Sequence, residues 1–294
     1  MNAILFPGQG SQKVGMGLTH YETSEGFRDI VSEADRFLGY SLSEIMFEGP
    51  AETLTQTEFT QPAIFVHSVA LFNQLQLKPA MTAGHSLGEF SALTAAGVLD
   101  FETALSVVAL RGKLMQNAGK IHPGTMAALI GLEDKIVDNI CQEATELIQK
   151  PVVPANYNCP GQLVISGDVD AVKKAIDLAK EHGCRLAKML PVSGAFHSPL
   201  MKPAYSELKQ KLDGIEFKAP KFLVYSNYTA EPSESPEVLK ENLLNQLVNP
   251  VKWTQTVIHM EKVGANRFIE VGPGAVLQGL VKRTLNNVTI EGYE

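Results

Sequence analysis

The sequence predicts an α/β protein in which helices cover both faces of a mostly parallel sheet and a second, compact unit is inserted. Two patterns support this prediction. In the outer parts of the chain, short apolar runs typical of strands alternate with longer helical patterns. Between residues 124 and 192 the order becomes β-α-β-β-α-β, which is that of a ferredoxin-like unit. We therefore expect a large α/β domain, residues 1–123 and 193–294, and a small ferredoxin-like subdomain, residues 124–192.

The part of the chain before the insertion contains two strand-like runs and four helical patterns. In order, these are a strand over 3–6, helices over 24–38 and 61–77, a strand over 81–83, and helices over 89–96 and 101–118. The run Pro7-Gly8-Gln9-Gly10 predicts a turn directly after the first strand. The last helix has clear ends, because Asp100 is a favourable N-cap and Gly119 is a typical stop.

The insertion and the part after it supply the remaining elements. In the insertion we expect strands over 126–131, 152–157, 163–166 and 185–190, a turn over 158–161, and helices over 133–148 and 170–182. After it we expect helices over 200–212, 235–247 and 253–263, strands over 222–226 and 268–271, and a last helix that ends at residue 283. Strands that alternate with helices favour parallel pairing in this outer body.

The composition is ordinary for a globular enzyme and disfavours several other classes of protein. With 45% apolar and 19% charged residues, the 294-residue chain can bury a sizeable core. The net charge of −7 disfavours general nucleic-acid binding, and neither a secretory signal nor a membrane span is visible. The three cysteines have no metal-site spacing, so we expect reduced thiols, a cytoplasmic location, and neither a metal nor a cofactor.

The most informative motif is Gly84-His85-Ser86-Leu87-Gly88, a G-x-S-x-G sequence between a strand-like run and a helical pattern. A serine on such a sharp turn exposes its hydroxyl beside the free N–H groups of the helix, and the flanking glycines let the backbone turn tightly. The bare pattern also arises by chance, so the rest of the chain has to support the interpretation of Ser86 as a nucleophile.

A serine nucleophile needs a base, and the chain has seven histidines. His197 is the strongest candidate, because it lies in a glycine-bearing loop just after the last strand of the insertion, where a reactive group can face a cleft. His67 and His259 fall within helical patterns and are expected to be hydrogen-bonded structural residues. His85 adjoins Ser86, but its side chain should point away from that of its neighbour and support the turn.

Arg111 gives the clearest indication of the substrate. It lies on the apolar face of the predicted helix over 101–118, three residues from both Val108 and Leu114. An inward-facing arginine is costly unless an anion meets it. A structural ion pair with a nearby acid, or exposure of the guanidinium at the surface, would satisfy it. The alternative is a two-pronged hydrogen bond to a substrate carboxylate.

Two backbone amides are candidates for an oxyanion hole. Gln9 lies in the turn after the first strand, at the carboxyl end of the sheet, where sites collect. Leu87 directly follows the candidate nucleophile, so its N–H can supply the second donor. The glycine-bearing turn around Gln9 lacks the G-x-x-x-x-G-K-[ST] pattern, which disfavours nucleotide binding.

No acid is an obvious third member of a Ser-His triad. Asp168 and Asp170 lie in the insertion, and Glu270 follows His197 in the chain. A backbone carbonyl can orient an imidazole instead, and the residues by themselves leave this choice open.

Together these motifs resemble those of malonyl-CoA:acyl-carrier-protein transacylases, including the free-standing acyltransferases that serve some polyketide synthases. The matching runs span nearly the whole chain in family order and read FPGQGSQ, TQPA, GHSLGE, RG, GAFHS, NPV and EVGPG, beginning at Phe6, Thr60, Gly84, Arg111, Gly194, Asn249 and Glu270. No catalytic position departs from the family pattern. The resemblance implies a hydrolase-like α/β body with a mostly parallel sheet and an inserted ferredoxin-like subdomain.

The resemblance also implies a role for each candidate residue. Ser86 would be the nucleophile, His197 its base, and Arg111 the residue that binds the malonyl carboxylate. The amides of Gln9 and Leu87 would form the oxyanion hole.

Two further roles follow from the resemblance alone. The main-chain carbonyl of Gln246 would orient the histidine, which accounts for the missing acid. The Gly-Ala-Phe-His form of the histidine loop is similar to that of malonyl-selective members, in which Phe196 would crowd an α-branched extender such as methylmalonyl.

The implied activity is transfer of a malonyl group from malonyl-CoA, through a malonyl-serine ester, to the phosphopantetheine thiol of acyl carrier protein, for fatty-acid or polyketide synthesis. Malonyl-CoA would be a substrate rather than a cofactor. An acyl-thioester hydrolase is the alternative, which Arg111 disfavours because a neutral acyl group gains nothing from a buried cation. We expect a monomer whose acidic carrier protein docks on local basic groups, with Lys113, Lys188 and Lys202 as candidates.

Overall fold

A computed structural model describes residues 1–192 and 194–294 of the chain. Its strands are β1 (Asn2–Phe6), β2 (Met81–Gly84), β3 (Gly124–Ile130), β4 (Val152–Cys159), β5 (Gln162–Asp168), β6 (Leu186–Met189), β7 (Leu223–Tyr225), β8 (Pro232–Ser233), β9 (Arg267–Val271) and β10 (Thr289–Tyr293).

The helices occupy most of the remaining chain. They are α1 (Leu18–Thr23), α2 (Glu25–Leu38), α3 (Leu42–Phe47), α4 (Ala51–Leu54), α5 (Thr57–Gln74), α6 (Gly88–Ala95), α7 (Phe101–Ile121), α8 (Asp134–Ile148), α9 (Val169–Glu181), α10 (Lys202–Asp213), α11 (Pro236–Asn245), α12 (Trp253–Lys262) and α13 (Val276–Thr284). Short 3₁₀ helices lie at Pro199–Met201 and Gln246–Val248. Within the described residues, no helix combines the length and the apolar character that a membrane crossing requires.

The body is built on a sheet with the strand order β10-β9-β1-β2-β7-β8. Its pairings are parallel from β10 to β7, and the short β8 pairs antiparallel at the edge. Phe6 at the end of β1 pairs with Gly84 at the end of β2. The turn after β1 and the G-x-S-x-G turn after β2 therefore lie side by side at one edge of the sheet.

Side chains of the body sheet alternate between two separate cores, one on each face. In β1, Ile4 and Phe6 belong to the larger core, whereas Ala3 and Leu5 belong to the core that contains the fully buried Trp253. This alternation is what a strand covered on both faces requires, because successive side chains point to opposite sides. The prediction of a mostly parallel, doubly covered sheet is confirmed.

The insertion forms a second, antiparallel sheet with the strand order β4-β5-β3-β6. Its first and third strands, β3 and β5, are central, as in the ferredoxin-like arrangement, and helices α8 and α9 pack on one face through Val137, Ile140 and Ala175. The opposite face, including Met126 and Val164, packs against the larger core of the body. The predicted fold class is thus confirmed; residue 193, where the second part of the large domain was expected to begin, lies outside the described residues.

Several elements differ from the expectation. Helix α7 continues through Gly119 to Ile121, although Gly119 was expected to end it. Helix α5 begins at Thr57 and contains Pro62, whereas its predicted start lay four residues later. Residues 158 and 159 belong to β4 rather than to a turn. The short helices α1, α3 and α4 and the edge strands β8 and β10 were not expected. The helices are too short for a clear apolar period, and neither strand contains a buried residue.

Candidate active site

The body and the inserted subdomain share a cleft of about 310 Å³ at the carboxyl ends of β1 and β2. Gln9 and Ser86 contribute to its body side, and Asn158 and Gln162 of strands β4 and β5 contribute to its subdomain side. A concave site between two structural units at the end of a parallel sheet is a common position for an active site.

Ser86 lies on a strained turn between β2 and α6, with a φ of 52° in the left-handed region. The flanking glycines are needed for a different reason from the one expected, because neither has a positive φ. A Cβ atom on Gly84 would lie 1.8 Å from the carbonyl carbon of Gly88, and one on Gly88 would lie 2.1 Å from the carbonyl oxygen of Phe6. Close packing of β1, β2 and α6 therefore excludes any side chain at these two positions.

His197 is the histidine that reaches the candidate nucleophile. Its Nε2 atom lies 2.8 Å from Ser86 Oγ, and its Nδ1 atom lies 2.8 Å from the carbonyl oxygen of Gln246. Since a carbonyl only accepts, Nδ1 carries the proton and Nε2 is left to accept from the serine hydroxyl. Burial, assisted by the charge of Arg111, lowers the pKa of His197 to about 3, so the imidazole is held in its neutral form.

Arg111 extends into the same site from α7 and is only 1% exposed. Its Nη2 atom lies 3.2 Å from Ser86 Oγ and 2.9 Å from Gln246 Oε1, and its Nη1 atom lies 2.8 Å from Gln61 Oε1. The guanidinium also stands 5.5 Å from the centre of the Phe90 ring. Burial lowers the pKa of Arg111 to about 10, which still leaves it charged at neutral pH.

These contacts decide between the interpretations of Arg111 that the sequence left open: an ion pair, exposure at the surface, or binding of a substrate carboxylate. In the chain as described it makes no ion pair with an acid, and it does not reach the surface. Neutral amide oxygens, supplied by Gln61 and Gln246, solvate the guanidinium instead. A buried cation that is solvated by amides and not held in a direct ion pair is able to bind an anionic group of a substrate.

The two amides expected to form an oxyanion hole lie on the adjacent turns that follow β1 and β2. Leu87 directly precedes α6, and the side chain of Gln9 is anchored by a 3.3 Å bond from its Nε2 to Thr57 Oγ1. Neither main-chain N–H donates to another group in residues 1–192 and 194–294. Both amides are therefore available, and their role as oxyanion donors stays a prediction.

Sequence reasoning missed two buried residues of the site, Glu89 and Asn227. Asn227 Oδ1 accepts from the Ser86 N–H at 2.6 Å, and Asn227 Nδ2 donates to the Gly84 carbonyl at 2.7 Å. Glu89 accepts from both Asn227 and Gln246. Glu89 closes the GHSLGE run, which was a usable signal, whereas nothing local distinguishes Asn227 in the turn after β7.

The remaining histidines differ in how well they match the expectation. His259 Nδ1 lies 3.1 Å from the hydroxyl of Tyr225, so its hydrogen-bonded structural role is confirmed. His85 Nε2 lies 2.9 Å from Asn158 Oδ1 of the subdomain, and it thus joins the two units beside the cleft rather than only supporting its own turn. The expectation for His67 is wrong in one respect, because neither ring nitrogen has a hydrogen-bond partner among the described residues.

The acids that were weighed as a third triad member have other partners. Asp168 pairs with Lys150, and Asp170 pairs with the same lysine. Glu270 accepts from the main-chain N–H groups of Leu277 and Gln278 at the start of α13. The Gln246 carbonyl lies where a triad acid would be, beside His197 Nδ1, and its role in orienting the histidine stays a prediction.

The candidate docking lysines, Lys113, Lys188 and Lys202, are all exposed, and none of them lines the cleft. The cation in the lining of the cleft is Arg283 of α13, an exposed residue that the sequence analysis did not select. Within the part of the chain that the structure describes, no group of three or more His, Cys, Asp or Glu side chains could hold a metal ion.

Comparisons with known proteins agree with this architecture over the whole chain. The acyl transferase domain family matches residues 4–292. Malonyl CoA-acyl carrier protein transacylase of Bacillus subtilis (strain 168) is 44% identical over 287 residues, which cover 96% of this chain and 89% of that protein. The Escherichia coli (strain K12) protein of the same name is 44% identical over 291 residues, which cover 98% and 94%.

Solved structures give the same result. An acyl carrier protein S-malonyltransferase from Vibrio cholerae superposes with a TM-score of 0.95 at 44% identity, covering 100% of this chain and 96% of that one. A malonyl-transacylase in complex with its type II PKS acyl-carrier protein superposes with a TM-score of 0.94 at 42% identity, covering 99% and 94%. With a family match across nearly its entire length and relatives well above 30% identity, this chain belongs to the acyl transferase domain family.

Proposed function

We propose that this chain transfers a malonyl group from malonyl-CoA to the phosphopantetheine thiol of acyl carrier protein, for fatty-acid or polyketide synthesis. The observation that carries the proposal is the position of Ser86 Oγ, 2.8 Å from the imidazole of His197 and 3.2 Å from the guanidinium of Arg111. One neighbour can activate the hydroxyl, and the other can select an acyl group with a free carboxylate. The names of the relatives support the same activity.

The first half of the reaction forms an ester on the enzyme. His197 Nε2 takes the proton of Ser86 Oγ as this oxygen attacks the thioester carbonyl of malonyl-CoA. The main-chain N–H groups of Gln9 and Leu87 stabilise the oxyanion, and a single donor of this kind contributes about 10²–10³ in rate. The C–S bond then breaks, CoA leaves as the thiol with the proton returned by His197, and the malonyl group remains on Ser86.

The second half reverses these steps with a different thiol. The phosphopantetheine thiol of the carrier protein gives its proton to His197 and attacks the ester carbonyl. The ester C–O bond breaks, Ser86 takes back its proton from His197, and malonyl-carrier protein leaves. Because one nucleophile serves both halves, the kinetics are ping-pong.

Selection of the acyl group is assigned to Arg111 and Phe196. Malonyl carries its carboxylate two carbons from the carbonyl that Ser86 attacks, so a guanidinium within 3.2 Å of Ser86 Oγ is close to that carboxylate in the ester. Phe196 is buried and lines the cleft, where it would crowd a branch at the α-carbon. No cofactor takes part in this scheme.

Trapping of the acyl-enzyme tests the proposal. Labelled malonyl-CoA without a carrier should label the wild-type chain at Ser86 and should not label Ser86→Ala. Addition of carrier protein should then move the label to the carrier thiol. A label that persists in Ser86→Ala would refute the role of the serine.

The alternative, an acyl-thioester hydrolase, predicts a different product. Rates of transfer and of hydrolysis should be measured with malonyl-, acetyl- and longer acyl-thioesters. Rapid release of free acid without transfer to the carrier, and a preference for neutral acyl groups, would support the hydrolase and contradict the transferase.

We also propose that the chain works as a monomer and that the carrier protein approaches through the mouth of the cleft. Ser86, His197, Arg111 and Gln246 all come from one chain, so specific activity should not change with enzyme concentration. Arg283, the cation in the cleft lining, suits an acidic partner, so transfer to the carrier should fall steeply with salt while hydrolysis of malonyl-CoA should not.

A further inference from the structure

Glu89 is a buried acid that the proposed reaction does not use. It follows the nucleophile by three residues, lies in the first turn of α6, and is 1% exposed. Its Oε2 atom accepts from the main-chain N–H of Asn227 at 3.0 Å and from Nε2 of Gln246 at 2.9 Å. Burial of a carboxylate this deeply costs free energy, so we expect Glu89 to have a functional role.

Both partners of Glu89 hold the backbone of Ser86. The side chain of Asn227 bridges the Gly84 carbonyl and the Ser86 N–H. The same Nε2 of Gln246 that meets Glu89 also lies 2.9 Å from the Ser86 carbonyl oxygen. Ser86 has a left-handed φ of 52°, a conformation that persists only where the surroundings hold it in place. Glu89 thus holds the main chain of Asn227 and the side chain of Gln246, and both of these residues hold the nucleophile.

Glu89 also faces Arg111 through a single amide. Gln246 accepts from Arg111 Nη2 at 2.9 Å with its Oε1, and it donates to Glu89 with its Nε2. Each charge favours the ionised form of the other: Arg111 opposes the effect of burial, which raises the pKa of Glu89 to about 7, and Glu89 opposes the lowering of the Arg111 pKa. A direct ion pair would occupy the guanidinium, whereas this arrangement offsets its charge and leaves it beside Ser86 Oγ.

We propose that Glu89 is a positioning residue for the transfer reaction, which holds Ser86 through Asn227 and Gln246 and whose negative charge weakens the grip of Arg111 on the malonyl carboxylate. With Glu89 ionised, the buried site is neutral before malonyl binds and carries one negative charge afterwards. Without that charge, malonyl binding neutralises a buried cation and becomes more favourable. An acetyl group brings no charge, so its binding should not respond. This inference rests on the proposed function.

The test is Glu89→Gln, because a glutamine oxygen can accept both hydrogen bonds while the charge is lost. The matched control is Glu270→Gln, which changes an equally buried acid that also accepts two N–H groups but does not contact Arg111 or Ser86. Steady-state kinetics with malonyl-CoA and acetyl-CoA should show that Glu89→Gln lowers the KM for malonyl-CoA. The malonyl-over-acetyl ratio of kcat/KM should rise by about ten-fold, the size of one charge acting across roughly 10 Å of protein. The control should leave that ratio unchanged.

A second measurement needs only the wild-type enzyme. In the described chain, Arg111 is the charged group that shifts the pKa of Glu89. The other partners of Glu89, Asn227 and Gln246, do not titrate. Lowering the pH from 8 to 6 protonates Glu89, so the malonyl-over-acetyl ratio should rise in the wild type and stay level in Glu89→Gln.

An unchanged malonyl-over-acetyl ratio in Glu89→Gln would overturn the inference, and so would an equal loss of kcat/KM with malonyl-CoA and acetyl-CoA. A wild-type ratio that does not respond to pH would overturn it as well. If the wild type transfers malonyl but the ratio ignores Glu89, only this inference fails. If the wild type transfers no malonyl, the proposed function fails first.

Discussion

The hydroxyl of Ser86 lies between the imidazole of His197 and the guanidinium of Arg111, two groups that interact electrostatically. Arg111 lies near enough to lower the pKa of His197, which makes the imidazole a weaker base but keeps it free of a proton. The carbonyl of Gln246 orients the ring by accepting a hydrogen bond from its Nδ1–H. An acid is therefore not needed beside His197, because the Gln246 carbonyl already accepts from its Nδ1–H.

The pH dependence of acylation follows from the low pKa of His197. An ordinary histidine is half protonated near pH 6.5, whereas this one, with a pKa of about 3, should stay neutral throughout the pH range from 7.5 to 5.5. At saturating malonyl-CoA, where the proposed effect of Glu89 on substrate binding does not limit the rate, Ser86 acylation should therefore stay level across that range. Rapid-quench measurement of the first turnover checks this, and a loss of half the rate near pH 6.5 would contradict it.

Substitution of Arg111 should change selectivity more than chemistry. Arg111→Ala removes the cation proposed to meet the malonyl carboxylate, and loss of one partner of such a buried pair costs about 2–5 kcal/mol. The malonyl-over-acetyl ratio of kcat/KM should fall by about 30-fold or more. Lys113→Ala, two residues further along α7 and exposed, is the control. An unchanged ratio in Arg111→Ala would exclude the carboxylate-binding role.

At the scale of elements, the site depends on how closely β1, β2 and α6 approach one another. Gly84 and Gly88 are in contact with backbone atoms rather than with side chains. Helix α7 has a similar contact, because Gly194 of the histidine loop would place a Cβ 3.3 Å from the Cα of Gly119. A side chain on Gly194 would therefore press against α7 at Gly119, two residues before the end of the helix.

Gly84→Ala tests this packing directly. The added methyl would lie 1.8 Å from a backbone carbon of Gly88, so the turn between β2 and α6 must shift, and we expect a loss of about 3 kcal/mol in the free energy of unfolding. Gly26→Ala is the matched control on helix α2, where an added Cβ meets nothing within 4 Å. It should stabilise the protein by about 0.5–1 kcal/mol, because alanine is the better helix former. Urea unfolding measures both, and equal effects would contradict the packing argument.

The fold as a whole buries several titratable groups away from water. His67 packs edge-on against Phe27 with no hydrogen-bond partner in the described chain, and burial lowers its pKa to about 3. His85 at the contact between body and subdomain has its pKa lowered by burial as well. Such groups make the stability of the fold dependent on pH even where they take no part in catalysis.

The variant His67→Leu tests this dependence of stability on pH by removing the histidine. Between pH 6.5 and 3, the unfolded chain binds a proton at His67 that the folded chain does not, so the free energy of unfolding falls by about 1.4 kcal/mol per pH unit as the pH decreases. Leucine removes this loss, so the variant should gain about 2 kcal/mol over the wild type between pH 7 and pH 5. Urea unfolding at the two pH values checks it, with the exposed His182→Leu as the control. A stability difference that does not change with pH would contradict the argument.

The sequence was enough to predict the parallel body, the ferredoxin-like insertion and the family, because these depend on periodicity, turn residues and motifs that lie within short stretches of chain. It also singled out Ser86, His197 and Arg111 as residues able to do the chemistry. It did not distinguish a structural role of Arg111 from a role in binding substrate. It also attributed Gly84 and Gly88 to a tight turn, whereas close backbone packing requires them. It gave no sign of the short elements such as β10, which pairs along its length with β9.

Which side chains meet in the site is visible only in the folded chain. Arg111 and Gln246 are 135 residues apart in the chain, and Asn227 and Ser86 are 141 apart, yet each pair shares a hydrogen bond. The position of Asn227 follows from the pairing of β7 beside β2, and that of Gln246 from the 3₁₀ turn after α11. Local patterns encode which elements form, whereas buried hydrogen bonds between distant residues depend on the packing of all the elements at once, and that information lies in no single stretch of the chain.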